Sequence, residues 1–587
     1  MILSKIILKG FRNFKYSEIN LCEKCLIIGA NDVGKTNLLW AVRLLLDRSL
    51  SDYDIEPQDT DFYAFEETNE FEIQLHFTDI TEDFILAKLQ GDISDADEML
   101  LLYNGHRNKY TNAKSYKIHI GPSLPLVKEI EDRYYRKVLN IKYISSRRDF
   151  YNYINREKNN LFELAKANRT EEQIEEDDSL YSKIQSELKK VDSEIPKLNY
   201  ISSATDIINT ELAKLSLHHA TQRIVFDAYT SNADNLIKNV SISSKNNDQN
   251  VLIGGDERLN QIYLSLWAAR NEFKEEEICE FSIFCIEEPE AHLHPHQQRK
   301  LAEYLNKSLK GQVILTSHSP QILSEFSPNS IVRLFNKNNK TTAASNGCSS
   351  IISDAFNDFG YRMSIIPAEA FFANAVLLIE GPSEEIFYKT LAKKMDIDLD
   401  KHNISILMVD GVGFGNFLNI LNALEIDWVL RTDNDIFKIP KKDEYVYAGI
   451  LRGISCYRKY CKKTNLTDSV LEKNESLVRW SSKKDPEPLN EKAAKEIIVQ
   501  LEKHNIFLSF KDLENDIIRS EIKDEVLAFF NEHSTDEAVA KMQNRKAINL
   551  YDFLKKGKDS LDKLSKNPLA NPLIACKLIT ESHHNGG

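Results

Sequence analysis

The chain has 587 residues, 42% of them hydrophobic and 28% charged, with a formal net charge of −14. So long a chain outgrows a single core and predicts two or three domains, and the composition excludes a disordered or fibrous protein. No apolar run reaches the roughly 18–20 residues of a membrane span, and the start MILSKIILKGFRNF lacks the apolar core of a signal peptide, so a cytoplasmic protein without membrane contact is expected.

MILSKIILKGFRNF reads as a first strand that turns at Gly10. Cys22 and Cys25 follow as a lone C-x-x-C with no second pair and no histidine nearby, so reduced thiols beside a strand are expected rather than zinc. CLIIGANDVGKTNLLWAVRLLL (25–46) is an apolar strand, a glycine-rich loop and a helical pattern. It matches G-x-x-x-x-G-K-[ST] in its strand–loop–helix setting. Gly29 and Gly34 let backbone N–H groups close around phosphates, with Asn31 inside the loop and Asn37 just after it. Lys35 reaches the β/γ oxygens and the Thr36 hydroxyl suits Mg²⁺. Residues 155–215 are charged with a helical period, acidic above all at 170–180. In VLIGGDERLN (251–260), Gly254 and Gly255 precede a helix whose first amides suit a phosphate. The strand of FSIFCIEEPEAHLHP (281–295) ends in Glu287, placed to hold the water shell of a metal, and Glu288, placed to polarise an attacking water. His292, His294 and His296 are read as part of a turn rather than a metal site. QVILTSHSPQIL (312–323) is a buried strand ending at His318, positioned to sense a γ-phosphate.

This order, with some 250 residues between the two phosphate-site strands, resembles the ABC/SMC-type ATPases. The resemblance implies a nucleotide-sandwich dimer in which the segment around Gly254 and Gly255 closes over nucleotide held by another copy, with Ile253 where the family usually has Ser. It also implies that Arg12 sits near the phosphates, that Gln58 is the candidate Q-loop residue, and that 155–215 occupies the place of the coiled-coil arm. That insertion reads either as a small dimer contact or as a solvated charged hairpin.

The polar run NKNNKTTAASNGCSS (336–350) marks a linker. A helical stretch over 362–375 leads to VLLIEGPSEE, where a buried strand delivers Glu380 and the following helix starts with Glu384. ISILMVDGVGFGNFLNILNAL (404–424) is a strand, a glycine-rich turn and a helix, and LEIDWVLRTDNDIF (424–437) is a strand ending in Asp433 and Asp435. Residues two apart on an extended chain share a face. Strand–helix alternation predicts a parallel sheet with the acids at its carboxyl ends. This arrangement resembles the Toprim domain, and hard oxygen ligands of this kind suit Mg²⁺ or Mn²⁺. The bases of 437–442 and 451–463, with Tyr457 and Tyr460 interleaved, follow the D-x-D strand and suit a DNA backbone; a net negative chain does not exclude this, because binding follows local patches.

An ATPase followed by a Toprim domain, with the spellings LIEGPSE, TDND and DLEND, resembles the OLD family of ATP-linked nucleases and, within it, the GajA-type nuclease subunits of Gabija anti-phage systems. The resemblance implies that Asp512, with Asp516 beside it, completes a second metal site, and that a cation of QNRKAINL, Lys546 or its neighbour Arg545, steadies the scissile phosphate. The expectation is an α/β protein, with an ABC/SMC-type ATPase domain over 1–345 (helical insertion about 155–215) and a Toprim domain over 346–587. Its expected work is nucleotide-regulated, Mg²⁺- or Mn²⁺-dependent cleavage of duplex DNA, as a dimer or tetramer with a GajB-like helicase. Two other readings stay open: an ATP-driven DNA clamp with an inactive Toprim domain, and a topoisomerase-like transesterase using a tyrosine.

Overall fold

The strand that feeds the glycine-rich loop, Lys24–Ile28, is apolar and buried from Cys25 onward, with sheet neighbours paired on both its edges. In this computed structural model, which describes residues 1–146, 150–215, 233–238, 243–246, 249–252, 258–260, 262–263, 280–309, 311–337, 339–349, 369–409, 413–481, 485–556 and 558–585, that sheet has six strands. Their order is Lys340–Ala343, Ile331–Lys337, Lys24–Ile28, Gln312–Thr316, Phe281–Glu287 and Leu139–Ile144. Every pairing is parallel except the hairpin at the first edge. Strands buried in such a sheet read as unbroken apolar runs, which is why CLII, IFCI and VILT stand out in the sequence. Parallel neighbours also bring their carboxyl-end loops together. The loop 29–35, the acids after Phe281–Glu287 and the turn after Gln312–Thr316 therefore share one sheet end.

A second sheet is antiparallel, in the order Phe14–Asn20, Ile2–Phe11, Glu70–Thr78, Met99–Arg107, Lys114–Gly121 and Lys128–Ile130. Its inner side chains, such as Leu8, Ile73 and Leu101, join one core with Leu38, Val42 and Leu45 of the helix Lys35–Leu46.

The polar run at 336–350 is not an open linker. Residues 340–343 are the second strand of a hairpin, Thr341 is fully buried, and its hydroxyl donates to the Val33 carbonyl at 2.9 Å. Asn and Lys at a turn look alike in a hairpin and a linker; the β-branched Thr341 and Thr342 that follow were the discriminating signal.

The carboxy-terminal sheet is wholly parallel, in the order Ile404–Met408, Ala375–Ile379, Asp427–Thr432, Ile506–Leu508. All five side chains of Ala375–Ile379 are buried, so the acid that follows is delivered by the middle of the sheet. A small antiparallel sheet, Ile436–Lys438, Glu444–Tyr447 and Arg479–Ser481, comes after the D-x-D turn. Residues 362–368 of the helical stretch expected over 362–375, and residues 410–412 of the glycine-rich turn, lie outside the described residues; of the rest, 369–370 are helical and Ala375 already belongs to the strand Ala375–Ile379.

Arg333, on the strand next to Lys24–Ile28, ties the ATPase sheet to the carboxy-terminal one. Its guanidinium donates to the carbonyls of Leu424 (2.9 Å), Glu425 (3.1 Å) and Ala373 (3.3 Å). The side chain is buried, and burial lowers its pKa to about 10. Truncating it leaves carbonyls without donors in a dry place. Arg333→Ala is expected to cost on the order of 3 kcal/mol and to lower the apparent melting temperature by several degrees, read by calorimetry or circular dichroism.

Residues 147–278 with 291–293 form a compact unit of their own. Its described helices are Phe150–Ala167, Glu171–Glu194 and Asn199–Leu215, through the span read as an insertion, and Ala233–Lys238. The long central helix starts in a capping box: Thr170 Oγ1 accepts from the Gln173 amide at 3.3 Å and the Gln173 side chain accepts from the Thr170 amide at 3.1 Å. Leu180, Ile184 and Val191 are exposed on it. Ile253, Gly254 and Gly255 lie outside the described residues. Among the described residues no helix is long and apolar enough to cross a membrane.

Candidate functional site

The phosphate loop is held from behind. Gly34 adopts φ 102°, and a Cβ there would fall 2.2 Å from the Asn13 amide nitrogen, so only glycine fits. Asn13 Nδ2 donates to the Val33 carbonyl at 2.8 Å and its Oδ1 accepts from Asn37 at 2.9 Å. Arg12 then donates to Asn37 Oδ1 at 2.9 Å and pairs with Asp61 at 2.9–3.0 Å. The structure thus uses Arg12 and Asn37 to brace the first turn of the helix. Gln58 is engaged locally, its Nε2 donating to the Glu56 carbonyl at 3.2 Å. Asn31 and Thr36 are exposed at the loop. Lys35 is buried, and its Nζ donates to the Gly29 and Ala30 carbonyls at 3.0 and 2.8 Å. Burial lowers its pKa to about 8, while Glu288, Glu290, Asp32 and Glu287 pull it up, so the ammonium persists at neutral pH.

Glu287 is buried and accepts from the Ser146 amide at 3.3 Å. Glu288 leaves the strand at φ 42°, and its Oε1 lies 3.5 Å from His318 Nε2. Burial, then Lys35, lowers the His318 pKa to about 4, which keeps the imidazole neutral. One contributor escaped sequence reasoning. Glu290, the last acid of E-E-P-E, accepts from Ser317 Oγ at 2.7 Å and from the His318 amide at 2.8 Å. It fixes the turn that carries His318, and burial pushes its pKa up. The histidine run makes a turn: the His294 and His296 rings stack at 5.4 Å and His294 caps the next helix.

The second cluster is built on the carboxyl ends of the parallel strands. Glu380 Oε1 accepts from Thr432 Oγ1 at 2.5 Å, from the Asp433 amide at 3.0 Å and from Arg452. Glu384 is buried and accepts from the Gly381 amide at 3.1 Å; burial raises its pKa, with Glu380 and Glu514 adding to the rise. Asp433 accepts from Ser509 at 2.9 Å, and burial together with Glu384 and Glu380 pushes its pKa to about 7. Asp435 is raised by burial and by Asp512 and Glu380. Asp512 caps the helix Leu513–Ile518, accepting from the Asn515 amide at 2.8 Å, and also accepts from Gln543 at 2.6 Å.

Here the structure redistributes two expectations. Asp516 accepts from Arg431 at 2.6 Å and from the Phe510 amide at 2.8 Å, so both its oxygens are spoken for by a buried arginine and a turn. Glu514, by contrast, is 1% exposed, and neither of its oxygens accepts a hydrogen bond within the fold. Lys546 Nζ stands 3.4 Å from it and also feels Asp433 and Asp512. The structure therefore brings Lys546 to the acids. Ser509 and Arg431 were also missed, and Arg452, read from the sequence among the bases of 451–463, donates to Glu380; each is an ordinary polar residue in sequence, its contact distinguished only by the fold.

Among the described residues no group of three or more His, Cys, Asp or Glu side chains is arranged to hold a metal ion as it stands. The acids are gathered within charge range of one another, and most already accept hydrogen bonds from local partners. The donor chemistry nonetheless fits a hard divalent cation: carboxylates only, several driven above their usual range by burial and mutual repulsion, and a buried Glu514 with Lys546 at 3.4 Å beside it. Backbone packing sets the geometry. A Cβ on Gly449 would fall 2.3 Å from the Asp433 carbonyl oxygen and 2.8 Å from Asn434 Cα. Gly449→Ala must shift the D-x-D turn, and is expected to weaken Mn²⁺ binding at this cluster by roughly 10–100-fold while nucleotide affinity stays put, as read by metal titration and fluorescent-nucleotide titration.

The model described as AAA ATPase domain matches residues 1–323. That described as Overcoming lysogenization defect protein-like, TOPRIM domain, matches residues 371–435. Endonuclease GajA of Bacillus cereus (strain VD045) is 26% identical over 591 residues, covering 94% of this chain and 95% of that protein. The OLD nuclease of Thermus scotoductus is 24% identical over 481 residues, covering 75% of this chain and 83% of its own.

Proposed function

The chain belongs to the AAA ATPase domain family, and from that premise we propose that it is a nucleotide-regulated, divalent-metal-dependent DNA endonuclease, nicking or cutting duplex DNA in bacterial anti-phage defence. The observation that carries the reading is the delivery of Glu380 and Asp433 by adjacent buried strands into one acid cluster with Glu384, Asp435, Asp512, Glu514 and Lys546. Nothing in a structural ion-pair network calls for that many acids in one place, with Glu384, Asp512 and Glu514 buried among them. Relatives named endonuclease and nuclease, which this chain matches over most of its length, support the same class.

In this reading Glu380, Glu384, Asp433 and Asp435 hold one Mg²⁺ or Mn²⁺, and Asp512 and Glu514 a second. Such ions supply an activated water and neutralise the leaving oxygen. Lys546 stands by the scissile phosphate. Asp516 keeps Arg431 in place beneath the cluster. At the other site Lys35 and the loop amides bind the β- and γ-phosphates of ATP, with Thr36 and Glu287 toward its Mg²⁺, while Glu288 and His318 face the attacking water. The ATPase domain is proposed over 1–345 and the Toprim domain over 346–587. A dimer or tetramer in the cytoplasm, partnered by a GajB-like helicase, completes the proposal, with the bases of 437–442 and 451–463 along the DNA.

Supercoiled plasmid incubated with purified protein and Mg²⁺ or Mn²⁺, with and without ATP, tests it. Open-circular or linear product that requires metal and changes with ATP is expected. Plasmid left intact in every condition, while it is bound and ATP is hydrolysed, would sink the nuclease and favour a clamp.

A further inference from the structure

The C-x-x-C read from the sequence is two thirds of a larger cluster. Cys348 Sγ lies 3.5 Å from Cys22 Sγ and 3.9 Å from Cys25 Sγ. The fold makes this meeting specific. Gly347 bridges Asn20 and the Cys348 amide donates to the Asn20 carbonyl at 2.9 Å. Gly347 adopts φ 89°, and a Cβ there would fall 2.5 Å from the Asn20 carbonyl, so a glycine is needed to seat the neighbouring cysteine. Cys25 is fully buried, while Cys22 and Cys348 are part-exposed.

We propose that Cys22 and Cys348 are a peroxide-oxidisable thiol pair, closing a covalent link between the turn before the phosphate-loop strand and the chain that leads into the Toprim sheet. Cys22 gives up its proton, its thiolate attacks one oxygen of hydrogen peroxide, the O–O bond breaks, and the departing hydroxide takes up that proton and leaves as water, giving a sulfenic acid. Cys348 sulfur then attacks Cys22 sulfur, the S–O bond breaks, and hydroxide leaves with the Cys348 proton as a second water. Two thiols are oxidised and one peroxide is reduced to two waters. The electrostatics assign the order. Hydrogen bonds from Cys25 and Cys348 hold the Cys22 thiol below the ordinary range, whereas the same bonds and burial push Cys25 and Cys348 up, so Cys22 is the nucleophile. A soft metal ion is the competing occupant of three thiols, but no fourth ligand joins them among the described residues and no such group is arranged to hold an ion.

The test uses the full-length reduced protein, exposed to a small excess of hydrogen peroxide, alkylated and digested with trypsin. Cleavage after Lys24 separates Cys22 from Cys25, so the peptide masses identify the pair. A Cys22–Cys348 peptide lighter by two hydrogens, reversed by dithiothreitol and absent from Cys348→Ser and Cys348→Ala but present in Cys576→Ser, is expected. The wild-type map decides even where a variant folds poorly. Alkylation of both Cys22 and Cys348 after peroxide, a Cys25–Cys348 link in its place, or one zinc per chain in the purified protein would each overturn the proposal.

Discussion

Asp433→Asn is expected to lower metal-dependent plasmid cleavage by roughly a thousandfold while leaving nucleotide binding unchanged. Asn keeps the shape and can still accept from Ser509, which now donates to Asp433 at 2.9 Å, so the fold survives. What disappears is a formal charge at the end of a buried strand, among Glu384 and Glu380. Those neighbours and burial set the Asp433 pKa at about 7 in the metal-free protein, against an ordinary 3.8. A folded state that holds its proton more tightly than the unfolded one loses stability as pH rises from about 4 through 7, by at most about 4 kcal/mol. Asn removes that loss. The same substitution should therefore raise the melting temperature in chelator at pH 8, and less so at pH 5. Cleavage within tenfold of wild type would show that the cation is held elsewhere. A lower melting temperature at pH 8 would show that the charge is compensated by a partner in solution.

The candidate sites were legible in outline where a polar residue follows an apolar run. Glu287 and Glu380 stand directly at such ends, His318 and Asp433 within three residues of them, and Lys35 after the loop that leaves one, because parallel strands are legible as unbroken hydrophobicity and their carboxyl ends converge without further information. What was not legible depends on residues far apart in the chain. Arg452 reaches Glu380 across 72 positions, Ser509 reaches Asp433 across 76 and Arg431 reaches Asp516 across 85. None of the three has a local signature. Cys348 stands 326 positions from Cys22, which is why the C-x-x-C looked solitary. In D-L-E-N-D the acids alternate along a helix start, and spacing alone could not say which faces the strands; the fold gives Asp516 to Arg431 and leaves Glu514 with Lys546.

Glu288→Gln should separate nucleotide sensing from nucleotide hydrolysis. Glu288 Oε1 is 3.5 Å from His318 Nε2, and His318 is neutral because burial and Lys35 lower its pKa to about 4. The imidazole therefore adds no charge beside Glu288, the proposed acceptor of a water proton. Gln retains the size and the hydrogen-bonding reach but cannot accept that proton, so hydrolysis is expected to fall by roughly 10²–10⁴-fold. Lys35, the proposed phosphate contact, is untouched, so ATP is still expected to bind. Lys35→Ala does the opposite: it removes the cation that sits over the loop carbonyls at 2.8–3.0 Å, and binding itself should be lost. The two variants then read the plasmid assay in different ways. If bound nucleotide controls the nuclease, ATP changes cleavage by Glu288→Gln as it does in wild type, without turnover, and has no effect on Lys35→Ala. If turnover drives the cutting, Glu288→Gln and Lys35→Ala respond to ATP alike. Hydrolysis by Glu288→Gln at the wild-type rate would remove Glu288 from the role of base and leave Glu287 or Glu290, the other two acids of E-E-P-E, to account for it.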